Sequence, residues 1–305
     1  MRILVTGGAG FIGSHVAEAY VEAGHEVVIV DDLSHGRKEH VPRSARLYIM
    51  DIQDKGLGQV FDKHRPELVN HHAAQVNVRE SVKDPINDAR VNILGSLNIL
   101  KLSIEAGVKK FIFASTGGAI YGNQEYFPAD ENHPTRPLSP YGIAKLTVEK
   151  YLYFSQKTHG LSCLALRYSN VYGPRQDPYG EGGVIAIFSE RMWHNKPVII
   201  NGSGEQTRDF VYVQDVARAN LLALDRDISG EINIATGKEV SVNKIFQVIR
   251  EITASNVDNN HGPAKPGENF RSVLDINRAR KELNWKPEVA LEQGIKLTAQ
   301  FFRRM

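Results

Sequence analysis

Apolar positions in the first half of the chain fall in short, β-branched runs separated by longer amphipathic stretches. The runs Arg2–Thr6, Glu26–Val30, Arg46–Met50, Glu67–Asn70, Lys110–Ala114 and Ser162–Arg167 read as strands. Between them, Phe11–Ala23, Ala89–Ala106 and Pro140–His159 carry apolar residues at helical spacing and read as helices. Strands alternating with helices predict right-handed βαβ units, and hence a parallel sheet covered by helices on both faces.

After about Val171 the texture changes. Arg175–Gly183 is a polar, Gly-rich loop, followed by a helix, a short Val198–Ile200 strand and the turn Asn201–Gly204. The helix near Val216–Leu224 and the strand Glu231–Ala235 are expected to return to the first sheet. The remainder, with the Pro/Gly-rich Gly262–Glu268 loop and a helix after Leu291, reads as a small second domain. The expected organisation is thus a doubly wound α/β domain over residues 1–170, with returning segments near 211–236. A discontinuous α/β substrate domain over 171–305 completes it.

Charge and cysteine content then remove whole classes of function. Lys plus Arg number 37 and Asp plus Glu 35, a formal net charge of +2, so neither nucleic acid nor an anionic membrane is an expected partner. One cysteine makes no internal disulfide, and no Cys/His cluster has zinc-ligand spacing, so no metal site is expected. The chain shows no basic leader, no long apolar stretch and no small-residue cleavage site. Neither a secretory signal nor a membrane span is expected, and the expected location is cytoplasmic.

The first strand runs directly into Thr6-Gly7-Gly8-Ala9-Gly10-Phe11-Ile12-Gly13-Ser14. Gly7, Gly10 and Gly13 stand at three-residue spacing between a strand and a helix. There Gly7 permits the tight turn, Gly10 lets the backbone approach a pyrophosphate, and Gly13 allows close helix–strand packing; this is a Rossmann-type pattern. The helix N-terminus offers unpaired N–H groups and a favourable dipole to the phosphates. Eighteen positions beyond Gly13, the second strand ends at Asp31-Asp32. A carboxylate there accepts hydrogen bonds from an adenosine ribose and repels a 2′-phosphate, so NAD is expected over NADP despite nearby Arg37 and Lys38.

Ser139-Pro140-Tyr141-Gly142-Ile143-Ala144-Lys145 opens the longest helix of the middle region, with serine as N-cap and proline at the first helical position. Tyr141 and Lys145 are i and i+4 and share a helix face. A free phenol with a pKa near ~10 is a poor base at neutral pH. An ammonium one turn away and a nicotinamide cation favour the phenolate and lower that value. Alone, a Tyr-x-x-x-Lys pair is an ordinary surface feature; beside a dinucleotide turn it is a candidate catalytic pair.

With these residues in place, the chain resembles the extended short-chain dehydrogenase/reductase family, and within it the UDP-glucose (UDP-galactose) 4-epimerases. The resemblance covers nearly the whole chain. It is carried by Thr6–Gly13, Asp31–Leu33, His72–Gln75, Asn92–Gly95, Ser115–Gly122, Ser139–Lys145, Arg167–Gly173 and Arg208–Val213. It implies that Phe11 and Ile12 line the pyrophosphate turn, that Asp31, Asp32, Leu33 and Ser34 hold the adenosine ribose, and that Asp51 and Ile52 hold the adenine. Ala73, Ala74, Gln75, Asn92, Ser115 and Tyr168 would contact the rest of the dinucleotide. Tyr141 and Lys145 match the family's base and its partner, and the third catalytic residue, a hydroxyl, falls on Thr116, with Ser115 as the alternative.

The same resemblance assigns a nucleotide-sugar side to the second half. Asn170 and Arg208 would hold the diphosphate, Lys265 stands where the family often has a second arginine, and Val184, Ile185, Ile199, Ile200 and Asn201 would line the nucleobase pocket. Ser272 would face the sugar's C2 substituent, where a small residue admits an N-acetyl group. Dehydratases and decarboxylases of this fold need an acid just after the catalytic hydroxyl; Gly117, Gly118 and Ala119 occupy those positions, which favours 4-epimerisation. The alternatives are a UDP-glucuronate 4-epimerase, which wants an additional cation in the sugar pocket, and a non-catalytic dinucleotide sensor, which has no need of Tyr141 and Lys145. The helix Ala89–Ala106 and the aromatic cluster Tyr151, Tyr153 and Phe154 match a four-helix homodimer interface common in the family. His71 and His72 face opposite sides of a strand and make no metal pair, and Cys163 reads as core.

Overall fold

The computed structural model describes residues 1–179, 183–264 and 269–303. In chain order the first half contains β1 (Arg2–Thr6), α1 (Phe11–Glu22), β2 (Glu26–Asp31), β3 (Arg46–Ile49), α2 (Leu57–His64), β4 (Leu68–His71), α3 (Val78–Lys83), α4 (Pro85–Ala89), α5 (Ser96–Glu105), β5 (Lys110–Thr116), α6 (Gly117–Ile120), α7 (Pro140–His159) and β6 (Ser162–Tyr168). The second half adds β7 (Asn170–Tyr172), α8 (Val184–Trp193), β8 (Val198–Asn201), β9 (Thr207–Arg208), β10 (Phe210–Tyr212), α9 (Val213–Ala223), β11 (Gly230–Ile234), β12 (Val240–Ser241), α10 (Val242–Thr253), β13 (Asn259–Gly262) and α11 (Leu291–Phe302).

One sheet of seven parallel strands in the order β3-β2-β1-β4-β5-β6-β11 forms the body of the molecule. Along β1, Ile3 and Val5 enter one apolar cluster and Leu4 the other, because alternate residues face opposite sides of the sheet. Helices cover both faces, so both sets are buried and the strands read as continuous apolar runs. On one face α1 and α9 supply Val16, Tyr20 and Val216; on the other α7 supplies Val148 and Leu152. The strand order reverses between β1 and β4, which opens a crevice at the carboxyl ends of these strands.

The predicted returning segments do rejoin this body: β11 pairs in parallel with β6, from Gly230 opposite Leu164 to Ile234 opposite Tyr168. The helix expected over Ala89–Ala106 is corrected. It begins at Pro85, capped by the Asp84 side chain, passes through a π-helical Arg90–Gly95 and ends at Glu105. A wide turn lets Gly95 sit against Ile52, where a Cβ would lie 2.6 Å from its side chain. A third apolar cluster, including Tyr172, Ile185, Phe188, Val198, Phe246 and Ile295, ties α8, β8, α10 and α11 together. Among the described residues no helix is long and apolar enough to cross a membrane, and no group of His, Cys, Asp and Glu could hold a metal ion.

Candidate active site

The glycine turn leaves the end of β1 with Gly7 at φ +67 and Gly10 as N-cap of α1. A Cβ on Gly7 would lie 2.6 Å from the Ala73 amide nitrogen, and one on Gly13 would lie 2.1 Å from the Gly7 carbonyl oxygen. Both neighbours are backbone and cannot yield. The turn is therefore a cradle that only glycine can form, presenting the first-turn amides of Phe11, Ile12 and Gly13 to whatever anion enters. These residues fit a dinucleotide diphosphate. Thr6 ties the cradle to the next strand: its hydroxyl accepts from the Ala73 amide at 3.2 Å and meets His71 Nδ1 at 2.6 Å.

The His71 tautomer follows from its partners. Ser96 Oγ spends its proton on the Asn92 carbonyl and so accepts from His71 Nε2 at 2.8 Å, leaving Nδ1 to accept from Thr6. Burial holds this imidazole neutral, well below its ordinary range.

At the end of β2, the Asp31 carboxylate accepts from the Ala9 amide at 2.9 Å and from the Leu33 amide at 2.9 Å, with Leu33 at φ 60. It is buried, and desolvation raises its pKa. Asp32 accepts from the amide and hydroxyl of Ser34. Asp51 lies exposed beyond β3, and Ile52 turns its side chain into the core while its carbonyl accepts from Asn98.

Across the crevice, Ser139 caps α7 through its hydroxyl, which accepts from the Gly142 amide at 3.2 Å. Tyr141 and Lys145 follow on the face turned toward β5. The Lys145 ammonium is buried, donates to the Ala114 carbonyl at 2.9 Å, and lies 4.7 Å from the Phe113 ring centre and 5.8 Å from that of Tyr141. Burial pushes its pKa down to about 8, while Asp88 and Glu149 pull the other way. Thr116 closes β5 at the same level. A Cβ on Gly118 would lie 3.8 Å from Thr116 Oγ1 and 4.0 Å from Asn170 Oδ1, so these two side chains flank one small opening.

Several side chains expected to touch a ligand are committed elsewhere. Ser115 Oγ donates inward to Glu149 at 2.6 Å, which leaves Thr116 as the hydroxyl on the open side. Tyr168 belongs to the core, with its ring stacked on His72 and its hydroxyl bonded to Asn220, so its backbone at the end of β6 is the part left on the crevice side. Asn92 spends its amide on Gln75 and Asp88, and Gln75 is in turn bonded to Asn77 and Asp88; both shape the loop after β4 from beneath. Ala73 and Ala74 lie in that loop, the former directly against Gly7.

On the second-half side, Asn170 is exposed and donates its backbone N–H to the Asp209 carbonyl at 2.9 Å. Arg208 is half-buried and donates to the Thr207 carbonyl. The next residue, Asp209, accepts from Thr236, Gly237 and Leu274, joining the segments that carry Arg208 and Ser272. The Ile185 and Ile200 side chains are enclosed in the third apolar cluster. Val184, Ile199 and Asn201 keep exposed surface beside them. Lys265 lies outside the described residues.

The glycine cradle on a doubly wound sheet lies in a chain that is similar to known proteins over nearly its whole length. Residues 3–235 match the NAD dependent epimerase/dehydratase family. The chain belongs to this family. It is an NAD-dependent epimerase, an isomerase. Its fold matches a UDP-glucose 4-epimerase of Thermotoga maritima solved with UDP-glucose, at TM-score 0.98 and 50% identity over 100% of this chain and 99% of that one. The Thermus thermophilus UDP-glucose 4-epimerase in complex with NAD matches at TM-score 0.94 and 43% identity over 99% of both chains. A UDP-N-acetylglucosamine 4-epimerase of Methanobrevibacter ruminantium, in complex with UDP-N-acetylmuramic acid, matches at TM-score 0.94 and 34% identity over 99% of this chain and 97% of that one.

Sequence reasoning missed the layer beneath this epimerase's site. Arg167 forms a buried pair with Glu149, donating from Nη2 at 2.7 Å and from Nε at 3.0 Å, and also donates to the Tyr121 hydroxyl at 3.0 Å. Glu149 is eight residues beyond Tyr141 and four beyond Lys145, so the helix face that carries the pair also carries its anchor. That i, i+4, i+8 spacing was the available signal.

Proposed function

We propose that this enzyme is a 4-epimerase of UDP-hexoses that interconverts UDP-glucose and UDP-galactose and also turns over UDP-N-acetylglucosamine and UDP-N-acetylgalactosamine. What supports the reading is the Lys145 ammonium, 5.8 Å from the Tyr141 ring centre and bonded to Ala114 of β5, the strand that Thr116 ends, with no carboxylate at Gly117, Gly118 or Ala119. Elimination or decarboxylation needs an acid there; moving one proton on and off a sugar hydroxyl does not.

The cradle of Gly7, Gly10, Phe11, Ile12 and Gly13 would hold the dinucleotide diphosphate, and Asp31, Asp32 and Ser34 its adenosine ribose. NAD, when bound, supplies a reversible hydride store for C4 of the sugar. Tyr141 as phenolate takes the proton of the C4 hydroxyl, and Thr116 hydrogen-bonds the same oxygen. Lys145 stabilises the phenolate and would hold the nicotinamide ribose of a bound NAD. The 4-keto sugar would turn about its diphosphate link to present its other face to the hydride store; hydride returned there would invert C4, and Tyr141 gives the proton back to the C4 oxygen. Asn170 and Arg208 hold the diphosphate through the turn, a guanidinium fork being suited to phosphate oxygens. The UDP-sugar complexes of the Thermotoga and Methanobrevibacter relatives support this substrate class.

The same reading includes a homodimer. Tyr151, Tyr153 and Phe154 on α7 and Ile86 and Leu94 near α4 leave large apolar side chains exposed, on helices that pack together in the chain. Two copies pairing these helices would bury them in a four-helix bundle.

Incubating the purified protein separately with UDP-galactose and UDP-N-acetylgalactosamine, without added cofactor, tests the reading. Formation of the C4 epimers is expected from both, and Tyr141→Phe should lose turnover by about 10²–10⁴-fold while retaining NAD. Absence of turnover with both sugars overturns the assignment.

A further inference from the structure

A cavity of about 260 Å³ opens between the glycine turn and the start of the second half of the chain. Phe11, Ser34 and His40 line one wall, and Arg175, Gln176 and Pro178 the other. Phe11 opens the first turn of α1, and Ser34 follows the carboxylates at the end of β2. The first wall is thus the surface proposed above for the diphosphate and the adenosine ribose. It is fixed to the glycine turn, whose Ala9 carbonyl accepts from the Arg37 backbone N–H at 3.0 Å and from His40 Nδ1 at 3.3 Å.

The opposite wall, residues 174–178, reaches back to α1 through two adjacent residues. His15 Nε2 donates to the Pro174 carbonyl at 3.0 Å. The Arg175 guanidinium donates from Nη1 to Ser14 Oγ at 3.2 Å and from Nη2 to Glu18 Oε2 at 2.9 Å. Ser14 accepts there because its own proton goes to the Phe11 carbonyl. The guanidinium is therefore bonded to the turn of α1 whose amides face the cradle. Gln176 ties the loop on its other side to β7, donating Nε2 to the Val171 carbonyl at 3.2 Å.

We propose that Arg175 is a positioning residue that fastens the loop 174–178 over the adenosine-diphosphate half of a bound NAD, and so sets how slowly the cofactor leaves. This rests on the placement of the dinucleotide in the glycine cradle.

Arg175 has φ 71. A residue other than glycine keeps that left-handed conformation where surrounding contacts impose it, and here its own side chain makes them. Both Nη atoms are turned to α1, so the guanidinium acts through the loop it anchors rather than on a phosphate. An ion pair whose carboxylate side chain is 42% exposed adds little to the stability of the whole fold. Its effect is on local opening of the loop, and the process that such opening governs is cofactor release.

The NAD-loaded enzyme is diluted into cofactor-free buffer, and released NAD is reduced by added alcohol dehydrogenase and ethanol and read as NADH fluorescence. Arg175→Gly removes the side chain while suiting the positive φ. Release should quicken by about tenfold or more, the factor carried by one hydrogen bond to a charged group. Glu18→Ala, which keeps a good helix former on α1, should quicken release in the same direction. Arg175→Lys retains one charged donor and should restore part of the retention. Glu282→Ala breaks a comparable half-exposed pair with Arg278, 3.0 Å long and outside this cavity, and should leave release unchanged. Release at the wild-type rate in both Arg175→Gly and Glu18→Ala overturns the proposal. Equal acceleration in Glu282→Ala overturns it too, because the cofactor would then escape through general loosening. Gly10→Val, whose Cβ would lie 3.3 Å from the Gly7 carbonyl oxygen, puts a side chain into the cradle and should leave no NAD bound. If it retains NAD, the cradle reading fails and this proposal with it; if it loses NAD while the Arg175 variants keep theirs, the loop anchor alone is overturned.

Discussion

The Ser115 hydroxyl donates to the Glu149 carboxylate at 2.6 Å and is thereby turned away from the crevice that its neighbour Thr116 faces. Two adjacent hydroxyls at the end of one strand must point to opposite sides, so one serves the site and the other its foundation. Thr116→Val should lower kcat by about 10²–10³-fold, the cost of one donor at the reacting oxygen. Ser115→Ala should leave kcat within a few-fold and lower stability by about 1.5–3 kcal/mol, the worth of a hydrogen bond to a charged group. Steady-state kinetics and urea unfolding of the two variants separate these outcomes.

The Glu149–Arg167 pair is almost wholly withdrawn from water, with side chains 1% and 3% exposed. Removing one partner leaves an uncompensated buried charge. Arg167→Met should therefore destabilise the protein by about 3–5 kcal/mol in urea unfolding. Replacing both residues with apolar ones of similar size should recover most of that loss, and a double mutant as unstable as the single one would contradict this account.

Acid should destabilise the fold before any carboxylate titrates normally. Burial lowers His15 to about 4 and His72 to about 3, against an ordinary value of 6.5. As pH falls through 6.5 the unfolded chain takes up protons that the folded chain refuses, so stability is lost progressively down to the folded values. At pH 5 each such histidine costs about 2 kcal/mol. Asp31 and Asp209, raised by burial, act in the opposite sense but are common to wild type and His72→Gln. The drop in urea midpoint from pH 7.5 to pH 5 should accordingly be smaller in His72→Gln.

Ser272 is buried in the segment joined to Asp209 through Leu274. If its small side chain is what admits an N-acetyl group, Ser272→Tyr should abolish turnover of UDP-N-acetylgalactosamine and keep that of UDP-galactose. Equal loss of both would remove Ser272 from the specificity assignment.

The inner strands of the sheet were legible because a sheet covered on both faces writes them as apolar runs, while the edge strand β3, Arg46–Ile49, was read from a shorter apolar stretch. The cap of α7 was legible from Ser139-Pro140, and the cradle from its three glycines. Asp88, Glu149 and Arg167 were not, since a buried charge on a helix has the same sequence pattern as a solvated one; only tertiary packing tells them apart. The start at Pro85 was hidden because a π-helical turn breaks the 3.6-residue period on which helix reading depends. For Tyr168, Ile185 and Ile200, motif position says nothing of side-chain direction, which core packing sets.

The last strand to join the sheet has a consequence for how the protein is made. β6 lies bare on one side until β11 pairs with it, and Asn220 of α9 completes the buried bonds of Asn70 and Tyr168. A chain emerging from the ribosome therefore carries an open strand edge while everything between Tyr168 and Gly230 is being translated. During that interval it is a template for strand addition, and a holdase or a slow pause would protect it most if timed before β11 appears.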